Sequence, residues 1–508
     1  MSRSKRFTHS LLSGYVLLVV NILFTLAQWP LAIRYLTVDE FGLWTVVASL
    51  SLNLQLLIDL GMSGSVARIL VDHKDDKDSA AYGTIIKTGT LAMLVQGTLI
   101  AVVGSLISLV LPQWMKKIPP DLHPIFGHLM IGQCLLLGAA FVGRICTFIL
   151  QAHQRYDASN YSQIAGLVVN LLVLWLGFEM HLGLYSLLLA TGVSLIFSNL
   201  FCLIAVMNLK LFPGTGRWGR ADWHKFKEIF SYANDIFLLS FGQALIAMSQ
   251  TPLITIVFDL EANAVWSTMT KTFILAQQLI ARPLDFSATP FAEMMVRGER
   301  DRLRARFRDM VGLTGSLGVF VCLGVALCNR SFVQIWMHGK FTWSVENDLL
   351  MALFILVNTS TRCHIGLAGL TKQIGTMKYI YLIEGAVFIT LGYTLAAPLG
   401  LAGIILAGII ANLLCSGLYG LHRTTNYFSI SAGEVLLSWF KLPARLFALL
   451  LTAAVVLWFC TYHLPWLVQL TVNAVGFGAL GLFFLWRFGL PEHLRTELVA
   501  RFKRRNKV

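Results

Sequence analysis

Charge is scarce in this chain. Asp, Glu, Lys and Arg make up 13% of its 508 residues, against about a quarter in a soluble domain. Too little polar sequence is present to cover a soluble core of this size. The eight cysteines (Cys134, Cys146, Cys202, Cys322, Cys328, Cys363, Cys415 and Cys460) include no C-x-x-C pair, and none sits with histidine at zinc spacing. They are read as small lipid- or core-facing side chains without redox or metal chemistry. A Gly-rich phosphate loop followed by Lys-Ser/Thr is also missing, which argues against ATP hydrolysis by this chain. No cofactor is expected.

What is present is apolar sequence. Hydrophobic residues reach 56%, and mean hydropathy is +0.70. A bilayer-spanning helix needs roughly 20 apolar residues. Runs of that order occur at 11–33, 42–60, 85–111, 127–150, 161–180, 184–209, 234–258, 265–292, 310–329, 348–370, 379–396, 401–421, 443–462 and 467–488. The expected fold class is an all-α polytopic membrane protein with fourteen transmembrane helices. The first run follows Arg3, Lys5 and Arg6 as a signal peptide would. It is longer than a signal h-region and lacks an A-x-A-like site, so it is read as a retained first helix.

Fourteen spans put both termini on one side. Five of the 40 Lys and Arg then fall on the opposite side (Arg34, Lys116, Lys117, Arg330, Lys340) and four lie deep within runs (Arg144, Lys271, Arg282, Arg362). The other 31 share the side of the termini, including six arginines from Arg297 to Arg308 and a basic C-terminal tail. This asymmetry makes both ends cytoplasmic. It also accounts for the excess of basic residues without nucleic acid as a partner. The longest outer loops, 112–126 and 330–347, are too short for a folded domain, so function is expected within or between helices.

Sliding the chain on itself by 222 residues brings Pro30, Leu31, Trp44, Gln55, Leu57 and Ile58 onto Pro252, Leu253, Trp266, Gln277, Leu279 and Ile280. Asp39 meets Glu261, and Thr45 meets Ser267. Runs 1 and 7 cross in the same direction, so the repeat is parallel, one of the two common transporter plans. The expected organisation is a lobe of six helices over 1–210, a second over 211–421, and two further helices with a basic tail over 422–508.

Polar residues inside the runs are costly unless they face protein or water. In run 8, Lys271, Gln278, Arg282 and Asp285 fall within about 60° of one another on a helix. Gln243 and Gln250 share a face in run 7, as do Asn21, Thr25 and Gln28 in run 1, and Thr45, Ser49 and Asn53 in run 2. Arg144 is co-facial with Gln133 in run 4, and Arg362 lies one turn from Asn358 in run 10. Bland readings stand beside the functional one. Arg144, Arg362 and Lys271 can snorkel to headgroups, Arg282 and Asp285 can form a structural ion pair, and the uncharged polar residues can bond helix to helix. Together the polar faces of runs 1, 2, 7 and 8 point to a hydrated cleft. Its cations outnumber the acids Asp285 and Glu384, which suits an anionic cargo, and arginine pairs bidentately with phosphate.

The stretch from Leu11 to Arg68 resembles the Wzx-type polysaccharide flippases of the multidrug/oligosaccharidyl-lipid/polysaccharide exporter superfamily. The resemblance rests on LTVDEFGLW (36–44), DLGMSGSVAR (59–68), QAHQRYDASN (151–160) and SATPFAEM (287–294), and extends over the whole length. It implies alternating-access flipping of an undecaprenyl-diphosphate-linked oligosaccharide across the bacterial cytoplasmic membrane, for O-antigen, capsule or exopolysaccharide synthesis. Implied partners are membrane lipids, a polysaccharide polymerase and glycosyltransferases. Of the substrate contacts the resemblance implies, Arg282 and Lys271 match by helix and facing, and Arg144 and Arg362 match by helix. With the polar faces read above, the candidate substrate-binding set is Arg144, Lys271, Gln278, Arg282, Arg362, Asn21, Gln28, Asn53, Gln243 and Gln250. Asp285 and Glu384 are candidates for proton or sodium coupling, with a neutralising salt bridge as the alternative role. Lipid II flippases of the superfamily carry charges inside helix 1, where this chain has Asn21, Thr25 and Gln28. That departure argues against a peptidoglycan substrate.

Two rivals are weighed. A small-molecule exporter of the same superfamily that takes cationic drugs calls for an acidic cavity, which the in-helix cations oppose. A membrane-embedded polysaccharide polymerase needs an acid or base presented at the outer face, where the loops are short. The segment RGERDRLRARFRD (297–309) is helix-like and basic. It either enforces topology or meets anionic lipid or a glycosyltransferase.

Overall fold

The computed structural model describes residues 3–73, 80–114, 118–370, 375–491 and 495–496. Lys116, Lys117, the acid-rich segment 74–79 and the basic tail from 497 lie outside the described residues.

Among the described residues the chain is helical, without strands. The first compact unit, Met1–Ala264, begins with α1 (Arg3–Tyr35), α2 (Val38–Asp59), α3 (Met62–His73) and α4 (Ala81–Trp114). It continues with α5 (His123–Ala152), α6 (Tyr156–Glu179), α7 (Tyr185–Asn208) and α8 (Trp223–Val257), and ends within α9 (Leu260–Met269). The second unit, Val265–Val508, holds α10 (Lys271–Val296), α11 (Arg300–Trp336), α12 (Val345–Leu370), α13 (Met377–Leu399), α14 (Leu401–Asn412), α15 (Leu418–Phe428), α16 (Lys441–Thr461) and α17 (Trp466–Phe484). Wide π-helical turns join α14 to α15 over Leu413–Gly417, precede α16 over Glu434–Trp439 and follow α17 over Leu485–Gly489. This grouping by packing differs from the lobes defined by the repeat, because α8 lies against α2, α3 and α4.

Twelve helices in the described residues are long and apolar enough to cross a membrane. Their surfaces are inverted relative to a soluble protein. Leu12, Val19 and Leu23 on α1, and Leu91, Val102 and Leu109 on α4, are about half exposed or more, while Gln133, Asn170 and Ser186 are buried. The protein is a multi-pass membrane protein. The runs at 234–258 and 265–292 are helical too. Among the described residues, α8 contains the apolar helix Phe241–Val257.

The run at 265–292 is not one unbroken helix. It is interrupted at Thr270, between α9 and α10. The cause comes from another helix: Asn329 of α11 donates its Nδ2 to the Met269 carbonyl at 3.0 Å. The basic segment after Arg297 is continuous with run 9, forming the single 37-residue α11. Its Leu303, Phe307 and Val311 are buried with Phe428, Val435 and Trp439, so one face of this segment is core. At the edge of that face Arg304 pairs with Glu434 at 2.5 Å.

The repeat holds at the level of hydrogen bonds. Under the shift of 222, the last residue of α1, Tyr35, maps onto Val257, the last residue of α8, and the first of α2, Val38, maps onto Leu260, the first of α9. Leu36 N donates to Ala32 O at 2.9 Å, and the equivalent Phe258 N donates to Ile254 O at 2.8 Å. Thr37 caps α2 by accepting from Glu40 N at 3.2 Å. Its equivalent, Asp259, caps α9 by accepting from Ala262 N at 2.7 Å. Each cap satisfies an amide that the helix itself cannot. In α2 the Glu40 carboxylate returns the bond to Thr37 N at 2.8 Å, completing a capping box.

Small residues allow the closest approaches. Gly97 of α4 and Gly138 of α5 lie so close that a Cβ on either would strike the other's carbonyl, as expected where helices associate without a hydrophobic driving force. Gly42 of α2 packs in the same way on the Leu260 backbone at the start of α9.

Candidate functional site

In the first unit the polar residues of α2 act mainly toward its neighbours. Thr45 Oγ1 donates to Gly42 O at 2.7 Å and accepts from Asn263 Nδ2 at 2.7 Å. Asn53 Nδ2 donates to Met248 O of α8 at 2.8 Å. Together with Gly42 on Leu260, these bonds tie α2 to α8 and the first turn of α9. On α1, Asn21 is exposed and donates to Leu17 O of its own helix at 3.0 Å. Thr25 in turn donates to Asn21 O at 2.9 Å. Gln28 and Gln250 are half-buried, and Gln243 is exposed.

Arg144, deep in α5, is half-buried. Its Cζ lies 4.2 Å from the Phe141 ring centroid. With the Gln55 amide turned so that its oxygen faces the guanidinium, both terminal nitrogens of Arg144 donate to it. Asp59, one turn further along α2, lies close enough to act on Arg144 electrostatically. Asp59 also accepts from Ser63. Gln96 Nε2 meanwhile caps the last turn of α2, donating to Ile58 O and Asp59 O at 2.8 Å each.

In the second unit, Lys271 opens α10 and is half-buried, while Gln278, Arg282 and Asp285 further along are exposed. Asp285 pairs with Arg362 of α12 at 2.9 Å, the two side chains 44% and 50% exposed. The same-helix pair Arg282–Asp285 weighed from sequence is not formed. Arg282 carries no ion pair among the described residues. Each unit thus has an arginine met by side chains of a repeat-related helix: Arg144 by Gln55 and Asp59 of α2, and Arg362 by Asp285 of α10, whose first half follows the repeat of α2.

Two clusters complete the second unit. Glu384 of α13 is buried and accepts from Asn412 Nδ2 at 3.0 Å and from Ser416 Oγ. Asn412 ends α14, and Ser416 lies within the π-helical turn that follows. The Asn412 Oδ1 beside them is buried without a partner. Sequence reading missed the other cluster. Asp348 of α12, the first residue of the run at 348–370, is 1% exposed. It accepts from Asn329 Nδ2 at 2.6 Å and from Trp343 Nε1 at 3.0 Å, while Thr272 Oγ1 donates to Asn329 Oδ1 at 2.6 Å. These groups come from three helices and a loop, so no spacing along the chain announces them. No group of three or more metal-ligating side chains occurs among the described residues.

Comparison with known proteins identifies the family. The chain belongs to the Polysaccharide biosynthesis protein family, which matches residues 31–346. A search of the curated proteins finds no match. Among solved structures the fold is similar to the inward-facing conformation of a MATE-family multidrug resistance transporter of the MOP superfamily, at 13% identity and a TM-score of 0.64, over 80% of this chain and 96% of that one. It is also similar to the inward closed conformation of the lipid II flippase MurJ, at 12% identity and a TM-score of 0.63, over 91% and 99% of the two chains. The outward-facing conformation of a MATE transporter matches at 13% identity with a TM-score of 0.59, over 84% and 96%.

Proposed function

We propose that the protein flips an undecaprenyl-diphosphate-linked oligosaccharide from the inner to the outer leaflet of the bacterial cytoplasmic membrane, supplying O-antigen, capsule or exopolysaccharide synthesis. Both termini are cytoplasmic in this reading. The observation that carries it is the exposed Arg282 guanidinium on α10, without an ion pair among the described residues, in a chain of the polysaccharide biosynthesis family with a flippase fold. A guanidinium in a membrane helix is costly, and a diphosphate offers it paired acceptors that sugar hydroxyls do not. Lys271, on the same helix, adds to the attraction. Gln278, Gln28, Gln243 and Gln250 offer hydrogen bonds to the sugar. Arg144 and Arg362 already meet acceptors in the protein and serve the cargo by exchange of partners.

In this topology the contacts of Gly42 with Leu260 and of Thr45 with Asn263 lie at the outer end of α2, so outward opening requires them to part. The Glu384 cluster is the candidate for energy coupling. A buried carboxylate beside the unpaired Asn412 Oδ1 offers oxygen ligands to sodium, or a site for a proton. The Asp285–Arg362 pair is the alternative, since a carboxylate can exchange its arginine for a proton as access changes.

The test is binding of a polyprenyl-diphosphate-linked oligosaccharide to the purified protein. Arg282→Ala is expected to weaken it roughly tenfold or more, the value of a charge-assisted hydrogen bond, and Arg282→Lys to restore part of the loss. Equal affinity in all three proteins would remove Arg282 from the site.

A further inference from the structure

The first unit contains a cavity of about 510 Å³ that the proposed transport does not use. Two apolar stripes wall it. Leu91, Val95 and Leu99 recur at i, i+4 and i+8 along α4, and Trp223, Phe226 and Phe230 at i, i+3 and i+7 along the start of α8. The third side is formed where α2 passes into α3. Leu91, Val95 and Leu99 are each about half exposed, Trp223 is 67% exposed and Phe230 43%. These stripes face each other without a side chain between them to fill the gap.

The position of the slot follows from helix length. α8 has 35 residues, about 52 Å at 1.5 Å per residue, well beyond the roughly 30 Å of a bilayer core. Lys225, Lys227 and Glu228 keep the first part of α8 out of the hydrocarbon, whereas Leu91, Val95 and Leu99 lie within the apolar span Ala81–Leu111 of α4, so the slot between them crosses the boundary between chains and headgroups. The rings at the start of α8 stack along the helix, Trp223 on Phe226 at 4.9 Å and Phe226 on Phe230 at 6.1 Å. Such aromatic side chains concentrate at membrane interfaces.

The mouth of the slot is basic. Residues 210–228 contain Lys210, Arg217, Arg220, Lys225 and Lys227 against Asp222 and Glu228. Both acids are occupied: Asp222 accepts from His224 N at 2.9 Å, and Glu228 pairs with Lys225 at 2.8 Å. Arg220 and Lys227 are exposed. Lys87, one turn before Leu91, donates to Gly219 O at 2.9 Å, and Asp222 N donates to Thr88 Oγ1 at 3.1 Å. Those two bonds fold the loop before α8 over the start of α4, which favours a compact headgroup over a bulky oligosaccharide.

We propose that this slot holds an acyl chain of an anionic phospholipid from the leaflet on the basic side of the protein, with the phosphate among Lys87, Arg220 and Lys227. The proposal shares the topology of the flippase reading but not its cargo, and its test involves no transport. Each basic residue at an anionic headgroup strengthens binding several-fold, so losing two lowers the preference for anionic lipid on the order of 10- to 30-fold.

The experiment uses the whole protein reconstituted with phosphatidylglycerol or phosphatidylcholine carrying brominated acyl chains. The Trp223 fluorescence is obtained by difference from Trp223→Phe. Brominated phosphatidylglycerol should quench it at a mole fraction on the order of 10- to 30-fold below that of brominated phosphatidylcholine. Arg220→Gln with Lys227→Gln, at exposed positions, should abolish that preference. Val95→Phe, which fills the slot, should reduce quenching by both lipids. Equal quenching by the two lipids in the wild type, or an unchanged preference in the double variant, would overturn the proposal and leave only ordinary bilayer contact. Relief of phosphatidylglycerol quenching by a polyprenyl-diphosphate-linked oligosaccharide would also overturn it, assigning the slot to the cargo.

Discussion

Replacing Gly42 with valine places a side chain against the start of α9. A Cβ at this position would stand 2.9 Å from the carbonyl carbon of Leu260 and 3.1 Å from its Cβ, with the carbonyl oxygen closer still. Ordinary carbon contacts need about 3.5–4.0 Å, so α2 and α9 must part by about 1 Å, straining the neighbouring Thr45–Asn263 bond. Overpacking of this kind costs about 1–3 kcal/mol. If the contact closes the outer end of the pathway, the strain falls on the closed state alone, and the open population rises on the order of 5- to 150-fold. The assay is labelling of Ser49→Cys, one turn further along α2 from Thr45, by a membrane-impermeant maleimide from outside, in a background without the native cysteines. Gly42→Val should raise the labelling rate by that factor, and Gly42→Ala by less. A lower melting temperature with an unchanged labelling rate would refute the reasoning, because the contact would then only hold the helices together.

Other expectations follow from the clusters of the second unit. Asn329→Ala removes the donor shared by Met269 O and Asp348 and leaves a buried carboxylate with Trp343 alone. It should cost about 2–4 kcal/mol, read as a lower melting temperature of the purified protein; an unchanged melt would count against the network. The half-exposed Asp285–Arg362 pair should show a coupling of only about 0.5–1 kcal/mol in a double-mutant cycle on stability, whereas a much larger value would mark it as a main support of the unit. Glu384→Gln should retain cargo binding but lose the dependence of transport on an imposed proton or sodium gradient; retained dependence would move the coupling site elsewhere, with Asp285 tested next.

Much of the architecture is visible in the sequence because lipid exposure demands long apolar runs, and a helix must satisfy its own backbone wherever lipid surrounds it. The shift that aligned Pro30 with Pro252 and Trp44 with Trp266 also aligns helix ends and caps in the structure, since Thr37 and Asp259 are both capping residues that begin a helix two residues after the last one stops. The interruption at Thr270 carries no such signal: neither glycine nor proline stands there, and the Met269 carbonyl is drawn off by Asn329, 60 residues away. Asp285 shows the same limit. Helical spacing offered Arg282 three residues before it, and the fold supplied Arg362 from another helix. Asp348 opens the run at 348–370 beside an outer loop, and only the fold brings Asn329 and Trp343 onto it. Periodicity reports which face of a helix is polar; its partner is decided by packing between helices.

The measurement that bears most directly on the proposed activity is the outer-leaflet appearance of a polyprenyl-diphosphate-linked oligosaccharide in sealed proteoliposomes, with efflux of a cationic dye measured in parallel. Flipping is expected in the wild type, strongly reduced flipping in Arg282→Ala, and no dye efflux in either. Dye efflux without movement of the lipid-linked sugar would contradict the flippase reading and assign the protein to small-molecule export.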